Sequence, residues 1–195
     1  MDSTTPDTAL LVMDMQSAVI RNLPDYNEIT GKVAKAIAFA RSNGLPVLFV
    51  AINFRPGMPE VGKNNKVFSA SKQRSMSMKN VNREELMKID ATVAPLSDEI
   101  VIIKKRLSAF TGSDLEVVLR AQGIQHIILT GVATSGVVLS TLREAADKDY
   151  RITVLSDCCT DGDTEVHNVL IHKVFPGQAS VFSLEEWLGT DWHIR

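Results

Sequence analysis

Thr130-Gly-Val-Ala-Thr-Ser-Gly-Val-Val-Leu-Ser-Thr-Leu-Arg-Glu144 is the stretch that decides how the chain is read. The apolar run Ile127-Ile-Leu129 enters it, a helical pattern leaves it, and between them Gly131 to Gly136 are mostly small residues. A strand that stops in a small-residue turn and becomes a helix aims several backbone N–H groups at one point. The helix N-terminus adds partial positive charge there. Such a turn suits an anion or the oxyanion of a reacting carbonyl. It also serves as an ordinary strand–helix connection.

Working outward, the same alternation recurs along the chain. Ala9-Leu-Leu-Val-Met13 and Val47-Leu-Phe-Val-Ala-Ile52 are continuous apolar runs, as expected of strands buried on both faces. Between them Ile29, Val33, Ile37 and Ala40 recur at helical spacing over Tyr26–Ser42, and Asn43-Gly44 with Pro46 stops that helix. Glu99-Ile-Val-Ile-Ile103 reads as a third strand, Ile127–Leu129 as a fourth, Arg151-Ile-Thr-Val-Leu155 as a fifth and Ser180-Val-Phe182 as a short sixth. Helices are expected near Arg83–Ile89, over Ser113–Ala121, from about Gly136 to Asp147, over about Thr164–Val174 and at Leu184–Leu188. Ser113 with Glu116 three residues on reads as a capping box, and Asp163 as an N-cap. Strands alternating with helices predict an α/β fold with a doubly wound parallel sheet and right-handed crossovers, in one domain spanning 1–195.

Composition bounds what the chain can do. With 195 residues, 45% apolar, and Lys+Arg 21 against Asp+Glu 23, it reads as a soluble globular domain of net charge -2. There is no global basic excess for nucleic acid and no apolar run of membrane-spanning length. Asp2 and Asp7 without a basic residue near them do not read as a signal peptide. The two cysteines, Cys158 and Cys159, are adjacent and do not suit a framework disulfide, so the expected compartment is the cytoplasm.

One segment departs from this balance. From Arg55 to Arg83 there are seven basic residues (Arg55, Lys63, Lys66, Lys72, Arg74, Lys79, Arg83) and one acidic, Glu60, in a polar section read as a loop to about Asn80. It serves either as a solvated surface loop or as a rim that attracts anions.

Doubly wound folds place their chemistry at the carboxyl ends of the strands. Asp14, Asn53, Lys104, the 131–136 turn and Asp157 all fall there. Asp14 follows five apolar residues, so its carboxylate is expected to be desolvated. A lysine beside it would hold it in place and keep it charged. Lys104 and Lys105 point to opposite sides of a continuing strand, so at most one faces the crevice. Asp157 reads as a turn or cap residue before a catalyst. No metal site is expected: His167 and His172 are five apart, and His126 and His193 are isolated. The cysteines read as buried structural thiols. The turn lacks G-x-G-x-x-G, and Val137-Val138 stand where a Walker loop needs Lys-Ser/Thr.

Three separated motifs in order, Leu10-Leu-Val-Met-Asp-Met-Gln16, Lys104-Lys-Arg-Leu-Ser-Ala-Phe110 and Gly131-Val-Ala-Thr-Ser-Gly-Val-Val138, resemble the isochorismatase-like superfamily over nearly the whole chain, with Asn53-Phe-Arg-Pro-Gly57 in weaker support. That superfamily holds cysteine hydrolases (nicotinamidases, carbamoylsarcosine and ureidoacrylate amidohydrolases) and isochorismatases. The resemblance implies a Rossmann-like three-layer α/β/α fold and a homo-oligomer, dimer or tetramer. It implies a small-molecule substrate, with no nucleic acid, membrane, metal or cofactor. The Asp and Lys of the family's Asp–Lys–Cys triad carry over to Asp14 and Lys104, the latter chosen over Lys105 by its spacing to Ser108-Ala-Phe110. A cis peptide is implied at Val132–Ala133. Val132, Ala133, Thr134, Gly136 and Val137, with Gln16, Asn53, Arg55 and Phe110, are the implied substrate-binding and oxyanion residues.

The nucleophile position falls at Val137, which has no nucleophilic atom. Ser135 and Ser140 point elsewhere, and the Asp-x-His metal motif of nicotinamidases is absent after the second strand. The expectation is therefore a hydrolase of a small, anionic metabolite using an Asp/Lys dyad without a cysteine nucleophile. Its alternative is a catalytically inactive member that binds a metabolite or a protein partner.

Overall fold

The computed structural model describes residues 7–21, 23, 26–77 and 83–189. Expectations that fall on Asp2, Lys79, Asn80 and His193 lie outside these residues. In chain order the elements are β1 (Thr8–Met13), the single-turn α1 (Ser17–Ile20), α2 (Tyr26–Ser42), β2 (Val47–Ile52), α3 (Lys66–Ser77), α4 (Arg83–Met87), β3 (Val101–Lys104), α5 (Leu115–Ala121), β4 (His126–Val132), α6 (Leu139–Asp147), β5 (Arg151–Thr160), α7 (Thr164–Val169), β6 (Ser180–Phe182) and α8 (Leu184–Leu188). The strands form one six-stranded sheet in the order β3-β2-β1-β4-β5-β6, and all five pairings are parallel.

Continuous apolar runs become strands here because both sheet faces are covered. Alternate residues of β1 divide between the two layers. Ala9, Leu11 and Met13 face a cluster closed by Leu115 and Leu119 of α5, Leu142 and Ala145 of α6, and Phe175. Leu10 and Val12 face the opposite cluster, with Ile29, Val33 and Ile37 of α2 and Trp187 of α8. Phe39 of α2 meets the Trp187 indole edge-on, with centroids 4.8 Å apart.

With this strand order the direction of winding reverses between β1 and β4, and the crevice outside their carboxyl ends is the switch point of the sheet. Met13 pairs with Gly131 at that edge. Gly131 has φ +132°, and a Cβ there would lie 2.0 Å from the Met13 carbonyl oxygen, so only glycine lets the two strand ends approach.

Three expectations need correction. The polar section after β2 is not loop throughout: Lys66–Ser77 is a helix, seated by Phe68 against Met58, Val61 and Phe54. Strand β5 runs on through Asp157, Cys158 and Cys159 to Thr160, with a register shift against β4 between Leu129 and Gly131. The helical stretch after Asp163 does span Thr164–Val174, with α7 passing into a π-helical turn at Leu170–Val174. The N-cap of α5 is Asp114 and not Ser113, whose Oγ accepts from the Leu115 N–H at 3.2 Å from one position earlier, and the capping box does not form. Glu116 turns instead to Arg120 and Lys148.

Candidate functional site

β1 delivers Asp14 to the crevice. The strand ends at Met13, the Asp14 N–H donates to the Val50 carbonyl at 2.8 Å, and a φ of +53° turns the chain out of the sheet. That left-handed conformation is rare for residues with a Cβ, and Asp adopts it more readily than most. β3 delivers Lys104. Its residues alternate exposed and buried from Val101, which puts Lys104 on the inward side with Ile102.

The two side chains meet across the end of the intervening β2: Lys104 Nζ lies 2.8 Å from Asp14 Oδ2, with the lysine side chain 1% exposed and the aspartate 10%. Lys104 Nζ also donates to the carbonyls of Arg106 (2.9 Å) and Leu107 (3.1 Å). An ammonium has three donors, and all three are engaged. Asp14 Oδ1 is buried and has no hydrogen-bond partner among the described residues. Burial pushes the Asp14 carboxyl up from 3.8 to about 6, against the opposing pull of Lys104.

The turn after β4 completes this edge. The Val132–Ala133 peptide is cis, and Thr134–Val138 is a five-residue π turn that runs into α6. The Ala133 carbonyl accepts from the N–H groups of Gly136 (3.1 Å) and Val138 (3.3 Å), and Asp161 Oδ2 accepts from the Ser135 N–H at 2.7 Å. Those three amides are therefore engaged within the chain, fewer being free than the sequence alone suggests. Val137 is 2% exposed and packs in the α5/α6 cluster. Thr134 is fully buried, its Oγ1 2.8 Å from His167 Nδ1.

The other sequence-derived residues are placed as follows. Gln16 lies beside the dyad, but its amide brackets the end of β2. Nε2 donates to the Ile52 and Met87 carbonyls, and Oε1 accepts from the Ile52 N–H. Asn53 sits at the rim, its carbonyl accepting from Lys105 Nζ, so Lys105 does point away from Lys104. Arg55 is exposed and paired with Glu60 at 2.8 Å. Phe110 is not brought to the dyad: its ring packs against Tyr150 and beneath Lys148 Nζ. Asp157 acts as a cap, Oδ1 accepting from the Leu184 N–H at the start of α8.

Both cysteines are buried in β5, and burial raises both thiols, that of Cys159 to about 12, so neither presents a thiolate. Among the described residues no group of three or more His, Cys, Asp or Glu is arranged to hold a metal ion, and no helix is long and apolar enough to cross a membrane. Asp161 and His167, which reach the turn from beyond β5, were not legible as site residues. The turn residues Asp161-Gly-Asp163 signal only a loop and a cap, and nothing in the sequence indicates bonds that span 26 and 33 positions.

Comparison with known proteins agrees with this architecture. Residues 8–186 match the isochorismatase domain family. The chain is 30% identical over 184 residues to the isochorismatase family protein YecD of Escherichia coli, covering 93% of this chain and 94% of that one. It is 30% identical over 203 residues to the ureidoacrylate amidohydrolase RutB of Variovorax paradoxus, covering 94% and 77%. Among solved structures, an isochorismatase family protein of Burkholderia thailandensis superposes with a TM-score of 0.79 at 27% identity, covering 93% of each chain. N-carbamoylsarcosine amidase of Thermoplasma acidophilum superposes with a TM-score of 0.73 at 25% identity, covering 91% and 96%. With the family matched across nearly its whole length and a dyad at the switch point of a six-stranded parallel sheet, this chain belongs to the isochorismatase family.

Proposed function

We propose that the protein is a hydrolase of a small, carboxylated metabolite, with Asp14 as general acid/base, Lys104 as its fixed counter-ion and no covalent sulfur step. The observation that carries this reading is the buried Asp14–Lys104 pair, with one carboxylate oxygen tied to the ammonium and the other left unpartnered. A carboxyl held near 6 exchanges a proton close to neutral pH, as a general acid/base must.

In the reaction, ionised Asp14 takes a proton through Oδ1 from water as the water oxygen bonds to the substrate's carbonyl carbon. Backbone of the 132–137 turn receives the developing oxyanion. The C–N bond then breaks, and the proton passes from Asp14 to the leaving nitrogen. Lys104 cannot take part in the transfer without releasing one of its three acceptors. Its role is to orient Oδ2 and to offset its charge. Relatives named ureidoacrylate amidohydrolase and N-carbamoylsarcosine amidase support a ureido or carbamoyl carbonyl as the scissile group.

One observation favours a second reading, that of a non-catalytic binder: the resemblance places the family nucleophile at Val137, which is a core residue here. A hydrolysis panel of ureido and carbamoyl acids, nicotinamide and isochorismate separates the two. The hydrolase reading expects turnover by wild type that is lost in Asp14→Asn. Silence in wild type with turnover in Val137→Cys would instead identify an amidase scaffold without its nucleophile, and unchanged turnover in Asp14→Asn would remove Asp14 from the chemistry.

A further inference from the structure

The dyad and the turn leave one neighbouring segment without a role, the connection from Asp161 to His167. Helix α7, which begins within it, buries none of its six residues. Five are exposed, and His167 alone is half-buried. The side chain that α7 sends inward is therefore the one that meets Thr134 Oγ1, at 2.8 Å. Three residues before α7 begins, Asp161 accepts from the N–H of the very next turn residue, Ser135, at 2.7 Å. The segment itself is braced: Asp163 accepts from the Glu165 and Val166 N–H groups, and Asp161 Oδ1 accepts from the Asp163 N–H.

These contacts act where the turn is least determined from within. The Ala133 carbonyl already fixes the N–H groups of Gly136 and Val138. The peptide joining Thr134 to Ser135 lies between those anchors, and its orientation sets where the preceding backbone faces. Two side chains from outside the turn hold its hydroxyl and amide on consecutive residues, which removes that rotation. Burial lowers the pKa of the His167 ring, which therefore stays neutral near pH 7 and keeps one nitrogen able to accept.

We propose that His167 and Asp161 are positioning residues that lock the 132–137 turn in register with Asp14. The proposal rests on the reading that this turn receives the substrate's carbonyl oxygen. Displacement of a reacting group by about 1 Å lowers rate by roughly a hundredfold, so loosening the turn should appear in kcat more than in KM.

The test compares His167→Ala, His167→Asn, Asp161→Ala and Asp161→Asn with wild type, in turnover and in amide hydrogen exchange of the 133–138 segment. The expected result is a loss of kcat of tenfold or more in both Ala variants with KM changed by less than threefold. Recovery of most of that loss is expected in the Asn variants, whose amides can restore a bond to Thr134 or to the Ser135 N–H. Exchange at Ser135 should quicken by tenfold or more in Asp161→Ala. A side chain that only pins α7 to the body would lower the thermal midpoint without splitting kcat from KM and without rescue by Asn. That result overturns the proposal, as does unchanged exchange at Ser135. If wild type turns over nothing on the panel, the hydrolase reading fails alone, and the lock still stands or falls on the exchange measurement.

Discussion

At Asp14, burial and charge pull in opposite directions, and the balance is measurable in two ways. Its folded pKa, about 6, lies above the ordinary 3.8, so between those values the folded state holds more protons than the unfolded one. The stability that Asp14 contributes is therefore present below 3.8 and declines as pH rises to about 6. Urea unfolding of wild type against Asp14→Asn across that window should show the difference shrink with rising pH. On the proposed mechanism the ionised form is the base, so wild-type kcat should climb with pH to an inflection near 6. Lys104→Met strands the carboxylate, at a cost of about 3–5 kcal/mol, and adding Asp14→Asn should recover part of that loss. Gly131 makes a sharper demand. Gly131→Ala drives a Cβ into the Met13 carbonyl oxygen and should fail to fold or lose more than about 3 kcal/mol. Gly123→Ala, at φ +69° with nothing within 4 Å, should lose only about 1–2 kcal/mol, as differential scanning calorimetry would show.

Among the elements, those readable in the sequence are the ones whose own residues determine them. The runs that became β1 and β2 were legible because a strand covered on both faces must be apolar throughout, and α2 because its apolar residues recur on one side. α3 was missed for the opposite reason. With three lysine or arginine residues and only Val67 and Phe68 as bulky apolar residues in Lys66–Arg74, it gives no periodicity, and among the described residues Phe68 is the apolar side chain that seats it. Strand β5 read short because Ser156-Asp157 resembles an ending, whereas Asp157 leaves the strand's path to cap α8 and the chain continues. The Ser113 box failed because the helix starts one residue late for it, with Asp114 as N-cap, and Glu116 pairs with Arg120 and Lys148 instead. Since α3 hangs on a small satellite cluster, Phe68→Ala should open it locally and leave the main core intact. Hydrogen exchange should lose protection over 58–74, while the global thermal midpoint shifts by only a few degrees. An unfolding transition that drops as far as for a central-strand substitution would show that α3 belongs to the main core.

For the whole molecule, strand alternation led to the layers, the sheet and the edge proposed to carry the chemistry, because the switch point follows from topology. A strand-end lysine beside Asp14 was legible from the sequence, but the choice of Lys104 over Lys105 came through the resemblance. The two residues are 90 positions apart, and β2 lies between their strands. What β1 does at the centre has a consequence for cooperativity. Its alternate residues enter separate clusters on the two faces, which α2 and α8 cover on one side and α5 and α6 on the other. Neither layer can loosen without exposing a face of β1 and β4, so the two clusters should unfold as one unit. Leu10→Ala and Leu11→Ala remove equal side chains from opposite faces at fully buried positions. Each should lower stability by about 2–5 kcal/mol. In each, far-UV circular dichroism, reporting helices of both layers, and near-UV dichroism, reporting aromatic packing, should trace one coincident transition. Two separated transitions in either variant would mean that one layer survives the loss of the other, and that the sheet is not the common support of both cores.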